Sequence, residues 1–171
     1  PETTTVIADG ALGGLVRLDS VSIPAGQDKN YVFDGQLLMT KDSSEIISVL
    51  PYASGDLSVK KGIKKIHQYG LSGCVGLTKV TLPASLVEIG HEAFAGCNAI
   101  SIIRSYAKTV PELGRNVFDD LNKSAIKLQV PTGTKSRYQG SEQWRDFNVV
   151  EFGTTIKVRG AIRKYGEENP K

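Results

Sequence analysis

Apolar positions in the middle of the chain recur at a fixed interval. Ile66, Leu71, Cys74, Leu77 and Val80 are followed, each 23 residues on, by Ile89, Phe94, Cys97, Ile100 and Ile103. A repeat of that length, with apolar residues spaced out rather than in one run, marks stacked coils: each unit is too small to bury its own face and does so against the next. The unit reads as an Ile, apolar positions at +5, +8, +11 and +14, and an apolar-Pro pair at +16, which Leu82-Pro83 supplies. The same spacing opens the chain in Ile7, Leu12, Leu15, Leu18, Val21 and Ile23-Pro24. A fourth copy keeps Leu113, Phe118 and Leu121 in phase, but its Val130-Pro131 arrives at +17, so the turn after Leu121 holds an extra residue. Irregular end units are expected of a capped stack.

This pattern predicts the elements. Leu77–Leu82 and the stretch from Ile100 to Ile103 read as short strands stacked in parallel along the array, with Pro83 ending the ladder because it has no amide to donate. The return stroke from Leu86 to Cys97 is expected to hold a helical turn around Ala93-Phe94. Gly14, Gly73, Gly96 and Asp120 share one phase, and all tolerate a left-handed corner. Between the first copy and Val59 the chain is about 13 residues too long for the period. The surplus, at about 31–50, reads as a β-hairpin: Tyr31–Phe33, Gln36–Met39 and Glu45–Val49 are β-prone, and Asp34-Gly35 and Thr40–Ser44 are turn-forming. The repeat stops at Val130. Residues 131–152, with a short amphipathic helix at 135–140 and then Trp144 and Phe147, read as a cap over the last apolar layer. Residues 153–171 read as a linker or the first strand of a following domain, holding at most one strand. The core is expected at Ile7, Leu12, Leu15, Leu18, Val21, Ile23, Ile66, Leu71, Cys74, Leu77, Val80, Leu82, Leu86, Ile89, Phe94, Cys97, Ile100, Ile103, Leu113, Phe118, Leu121, Leu128 and Val130.

Composition narrows the function more than it names it. The chain has 171 residues and 23% charged residues, enough for one domain with a real core. No run of 18 apolar residues exists to cross a membrane as a helix. The chain opens at Pro1 with its first unit entered at mid-repeat, so the array is expected to extend upstream, where any export signal would also lie. A net charge of +3 and the cluster Lys60, Lys61, Lys64 and Lys65 raise a nucleic-acid partner. Those lysines alternate with Val59, Ile63 and Ile66 and have no stacking aromatics beside them, so they read as solvated positions and no nucleic acid is expected. Cys74 and Cys97 sit one coil apart, where a disulfide is sterically conceivable. Free buried thiols are the preferred reading, because Leu15 and Leu121 fill the same slot in other copies. A zinc site with His67 and His91 lacks ligand spacing, and the two histidines are out of phase. Nothing nominates a nucleophile, base and orienter; Asp119-Asp120 and Glu167-Glu168 read as solvated charge. No enzyme activity, metal or cofactor is expected.

The residues Leu82-Pro83, Leu86, Ile89-Gly90, Ala93-Phe94 and Cys97 resemble, one by one, the LPxxLxxIGxxAFxxC pattern of the BspA-like leucine-rich repeats of bacterial cell-surface proteins. The likeness covers about residues 7–152, including the hairpin YVFDGQLLMTKDSSEIISVLP and the cap VPTGTKSRYQGSEQWRDF. Leu12 and Leu71 stand where Phe is usual, and Leu15 and Leu121 where Cys is usual. The tail RKYGEENP is similar to the opening strand of MBG-type β domains. The resemblance implies a leucine-rich repeat solenoid, a β-rich α/β horseshoe segment at 1–152, on the cell surface or secreted. It also implies adhesion to a protein or glycan of a host or neighbouring cell, by a monomer. A structural spacer with no ligand of its own is the alternative. Strand alternation places Lys79 and Thr81, Ile102 and Arg104, Lys127 and Gln129, and Ser20 and Ser22 on one outward surface. Ile102, exposed between two cations, with Arg104 and Tyr106 forms the expected centre of a contact, with Lys79 and Lys127 steering an acidic partner.

Overall fold

The computed structural model describes residues 6–12, 15, 30–153, 156–158 and 161–163. Strands β1 (Tyr31–Asp34), β2 (Leu37–Thr40) and β3 (Glu45–Val49) form an antiparallel meander. Its first turn is tight because Gly35 takes φ 61° without steric cost. In the second turn the Asp42 carboxylate accepts the Thr40 hydroxyl at 2.7 Å and the Ser44 amide at 3.1 Å. The remaining strands follow as β4 (Ser54–Ser58), β5 (Lys65–Ile66), β6 (Gly76–Leu82), β7 (Glu88–Ile89), β8 (Ile102–Ser105), β9 (Glu112–Leu113), β10 (Lys127–Pro131) and β11 (Asn148–Phe152).

Two sheets divide these strands. The first runs β1-β2-β3-β5-β7-β9; the second runs β11-β10-β8-β6-β4 and is parallel throughout. Each coil thus gives a longer strand to one sheet and a two-residue strand to the other, and the apolar residues fill the space between. Pro83 follows the last residue of β6, as its missing amide requires. The two-residue ladder was not foreseen, and neither was the role of β3. Ile46 pairs in register with Ile66, and Leu57 with Val80, so the chain from β3 to Val59 is a further coil rather than surplus length. It is shortened, since Ile46 to Ile66 spans 20 residues where Ile66 to Ile89 spans 23.

The corners depart from the expected helical turn around Ala93-Phe94. Gly73 (φ 75°), Gly96 (φ 74°) and Asp120 (φ 63°) are left-handed, as their shared phase predicts. A second set, Tyr69 (φ 59°), Glu92 (φ 49°) and Asn116 (φ 52°), is also left-handed. Two such residues within five positions break a helix before it completes a turn. The segments are instead chained turns, with Ala95 N–H donating to Glu92 O at 3.1 Å and Cys97 N–H to Phe94 O at 3.2 Å. Amides left free on one coil find the next: Leu71 N–H donates to Ala93 O, and Phe94 N–H to Val117 O, both at 2.8 Å.

The expected core residues of the regular coils, from Ile66 through Ile103, are buried, as are Phe118, Leu128 and Val130. Leu15 is not: it is 46% exposed, in a terminal unit with a described coil on one side only. Ile7 and Leu12 are half-buried for the same reason, and Leu18, Val21 and Ile23 lie outside the described residues. Leu113 and Leu121 are half-buried against the core, Leu113 because β9 is the edge of the first sheet. Cys74 and Cys97 are buried free thiols. Burial pushes each up to about 12, and the Cys97 thiol donates to Leu71 O at 3.1 Å.

The two thiols yield a test. At pH 8, iodoacetamide is expected to leave both untouched in the native chain and to alkylate both in urea, read as intact mass. An unfolded thiol ionises near about pH 8.5, well below the buried pair. The unfolded chain therefore sheds protons first, and stability falls as pH rises from there to about 12.

The cap combines α1 (Lys135–Gln139), a 3₁₀ turn (Trp144–Asp146) and β11. Trp144 and Phe147 stack on Phe118 at 5.1 Å and 4.8 Å, and Phe118 meets Phe94 at 5.3 Å. Polar atoms of the cap stand in for the coil that does not follow. Trp144 Nε1 donates to Pro111 O at 3.1 Å, Gln143 Nε2 to Gly114 O at 2.7 Å, and Gln143 Oε1 accepts Val117 N–H at 2.9 Å. The second sheet is not closed in this way; β11 adds a strand to it. In the tail, where at most one strand was expected, β12 (Ile156–Val158) and β13 (Ala161–Arg163) pair antiparallel.

Candidate interaction face

The second sheet brings outward positions into rows, because parallel strands in register place equivalent residues side by side. One row reads Asp56, Lys79, Ile102, Lys127 and Asn148; the next reads Ser58, Thr81, Arg104, Gln129 and Val150. Lys79, Thr81, Ile102, Arg104, Lys127 and Gln129 therefore share one surface. Ser20 and Ser22 lie outside the described residues.

Within the rows the side chains are less free than expected. Lys79 is paired with Asp56 at 2.7 Å, so half of the expected cationic steering is neutralised. Lys127 is exposed and has no ion-pair partner among the described residues. Ile102 is half-buried rather than exposed, flanked in register by Lys79 and Lys127. Arg104 donates from Nε to Gln129 Oε1 at 2.6 Å and sits 5.5 Å from the Phe152 ring centre. Tyr106, 43% exposed, meets the same ring edge-on at 5.1 Å. Phe152 is thus the platform that fixes both Arg104 and Tyr106, and it was missed as a face residue. The signal was available: Phe152 lies two residues beyond Val150 and so on the same side of β11.

Side chains with chemical potential elsewhere have structural work. His67 joins Asp9 through Nδ1 at 2.8 Å and Glu45 through Nε2 at 2.6 Å, tying the N-terminal segment to the meander. His91 Nδ1 accepts the Arg115 amide at 2.6 Å. In the lysine cluster, Lys60 pairs with Asp34 and Lys65 with Glu88 at 3.0 Å, while Lys61 and Lys64 are exposed. No helix among the described residues is long and apolar enough to cross a membrane.

A family model described as the BspA type leucine rich repeat region matches residues 55–158, in six copies. That span is more than half of the chain, and it begins within β4, so the first unit at 7–24 rests on its spacing alone. No curated protein matches the chain.

Proposed function

Because the chain belongs to the BspA-type leucine-rich repeat family, whose repeats suggest a protein-interaction module, we propose that it is a non-enzymatic adhesion module of a cell surface. In this reading it is a monomer and a segment of a horseshoe solenoid, and its contact surface is the outward face of the second sheet. The observation that carries the proposal is the continuity of the rows across β4, β6, β8, β10 and β11. With Tyr106, just beyond β8, they combine a half-buried apolar residue, a braced Arg and a partly exposed Tyr, the mix that interface hot spots favour. Their net charge is positive, from Arg104, Lys127 and the Lys79–Asp56 pair, which suits an acidic protein surface.

The test is a panel of purified extracellular-matrix and bacterial surface proteins, screened with the native chain and with an Ile102→Asp, Lys127→Glu double variant. The variant is expected to melt within about 2 °C of the native chain and to lose at least about tenfold in affinity for each partner found. Partners retained at full affinity would move the contact off this face. A panel with no partner at all would favour the spacer reading.

A further inference from the structure

At the ends of the same strands the edge of this face meets loops that the reading above does not use. Where β4 and β6 run out, the loops that follow leave a hollow of about 720 Å³, with Tyr106 just beyond β8 on its wall. Its shape is held by hydrogen bonds. Gly62, at φ 97°, turns one loop so that its amide donates to Ser85 Oγ at 3.1 Å, and the same hydroxyl donates to Ile63 O at 2.7 Å. The loops of successive coils are thereby stapled to each other.

The lining has two characters. Val59, Pro83 and Ala84 are the apolar lining of the hollow, joined by Tyr106, whose ring meets Phe152 edge-on at 5.1 Å. Ser58, Thr81, Tyr106 and Lys61 also line it, and neither their hydroxyls nor the ammonium has a hydrogen-bond or ion-pair partner among the described residues. Among the described residues no carboxylate lines the hollow, and the one formal charge on its lining is positive.

We propose that this hollow binds a pyranose bearing a carboxylate, a uronic or sialic acid unit of a glycan. Its ring C–H face lies on Tyr106, since those hydrogens are slightly positive and the aromatic face is negative. Its hydroxyls meet Ser58, Thr81 and Tyr106, and its carboxylate meets Lys61. A purely apolar peptide side chain leaves three hydroxyls unpaired, which disfavours it. A phosphate would meet a single ammonium, whereas a pyranose carboxylate also brings hydroxyls to Ser58, Thr81 and Tyr106. The proposal shares Ser58, Thr81 and Tyr106 with the sheet face but uses neither Ile102 nor Lys127, so substitutions at Ile102 and at Lys61 separate the two readings.

The experiment is NMR titration of the isotope-labelled 171-residue chain with methyl β-glucuronide and, separately, with the methyl glycoside of a sialic acid. Methyl β-glucoside serves as the neutral comparator and sodium acetate as the anion control. At least one acidic sugar is expected to give saturable shifts at amides of 58–62, 81–85 and 106, with a midpoint in the range of about 1–10 mM. The neutral glucoside is expected to bind about tenfold more weakly, and acetate to give no saturable change. Lys61→Gln, at an exposed loop position, is expected to lower acidic-sugar affinity about tenfold and leave the neutral sugar unaffected. Ile102→Asp is expected to change neither titration. The absence of saturable shifts with both acidic sugars overturns the proposal. So does acetate reproducing the shifts, or unchanged glucuronide and sialoside binding by Lys61→Gln. Which of the two sugars binds more tightly identifies the glycan source.

Discussion

Phe118→Ala is expected to lower the unfolding free energy by about 3–5 kcal/mol. The ring is 1% exposed and touches three others: Phe94 at 5.3 Å from the last regular coil, and Trp144 and Phe147 at 5.1 Å and 4.8 Å from the cap. Its loss opens a cavity between coil and cap that neither side can collapse to fill. The Trp144 indole is held by Pro111 O, and the neighbouring Tyr138 hydroxyl donates to Ala107 O at 2.9 Å. Urea unfolding followed by Trp144 fluorescence, the chain's single tryptophan, reads the effect directly. Phe94→Ala is expected to fall in the same range, since Phe94 is fully buried and occupies the same slot one coil earlier. A midpoint shift no larger than that of a surface substitution would mean that the cap does not depend on this stack.

Gly90→Ala is expected to cost about 3 kcal/mol, the upper end for forcing atoms into a packed site. A Cβ there would stand 2.4 Å from Gln68 N and 2.8 Å from His67 C, both backbone atoms of the preceding coil. Backbone cannot swing aside as a side chain can, and moving it breaks the bond from Gly90 N–H to Ile66 O at 2.8 Å. Gly114 faces His91 in the same way one coil later, with a Cβ 2.6 Å from His91 N. The comparison is Gly35→Ala, where a Cβ meets open space and only φ 61° is unfavourable, for about 1–2 kcal/mol. Equal melting shifts for the two variants would show that the coils can separate at no cost, and the close-approach argument would fail.

The difference between these two glycines marks what could be read from the chain. Spacing located Ile89, Phe94, Cys97 and Ile103, because a residue buried between coils must recur at the coil length. It also placed the outward rows, since strand alternation leaves no choice once Val80 and Leu82 point inward. It did not reveal the strands at Lys65–Ile66 and Glu88–Ile89, whose two residues are too few to show alternation. The coil from Ile46 to Val59 escaped because a shortened corner between Ile46 and Leu57 puts Ile46 only 20 residues before Ile66, out of phase, while Leu57 keeps the full 23 to Val80. Nor does anything in Tyr69 or Glu92 announce a left-handed backbone; the neighbouring coils impose it, through Tyr69 N–H to His91 O at 2.8 Å and Glu92 N–H to Arg115 O at 3.0 Å. Arg104 and Tyr106 were legible as candidates, but their bracing on Phe152 depends on a contact between strands 25 or more residues away from them in register, β8 through β10 to β11.

The ladders have a mechanical consequence. In both sheets each coil is bonded only to its immediate neighbours, from β3 through β9 and from β4 through β11. Bonds between strands run across them, and so along the direction in which the coils stack. A pull on the ends of the stack therefore loads one interface at a time and opens it row by row, instead of shearing many rows together. Each released coil of 23 residues pays out about 80 Å of slack. The chain should yield under tension in repeated steps at low force, with the aromatic seam at Phe118 and Trp144 giving way last, so that the stack acts as an extensible line instead of a rigid post.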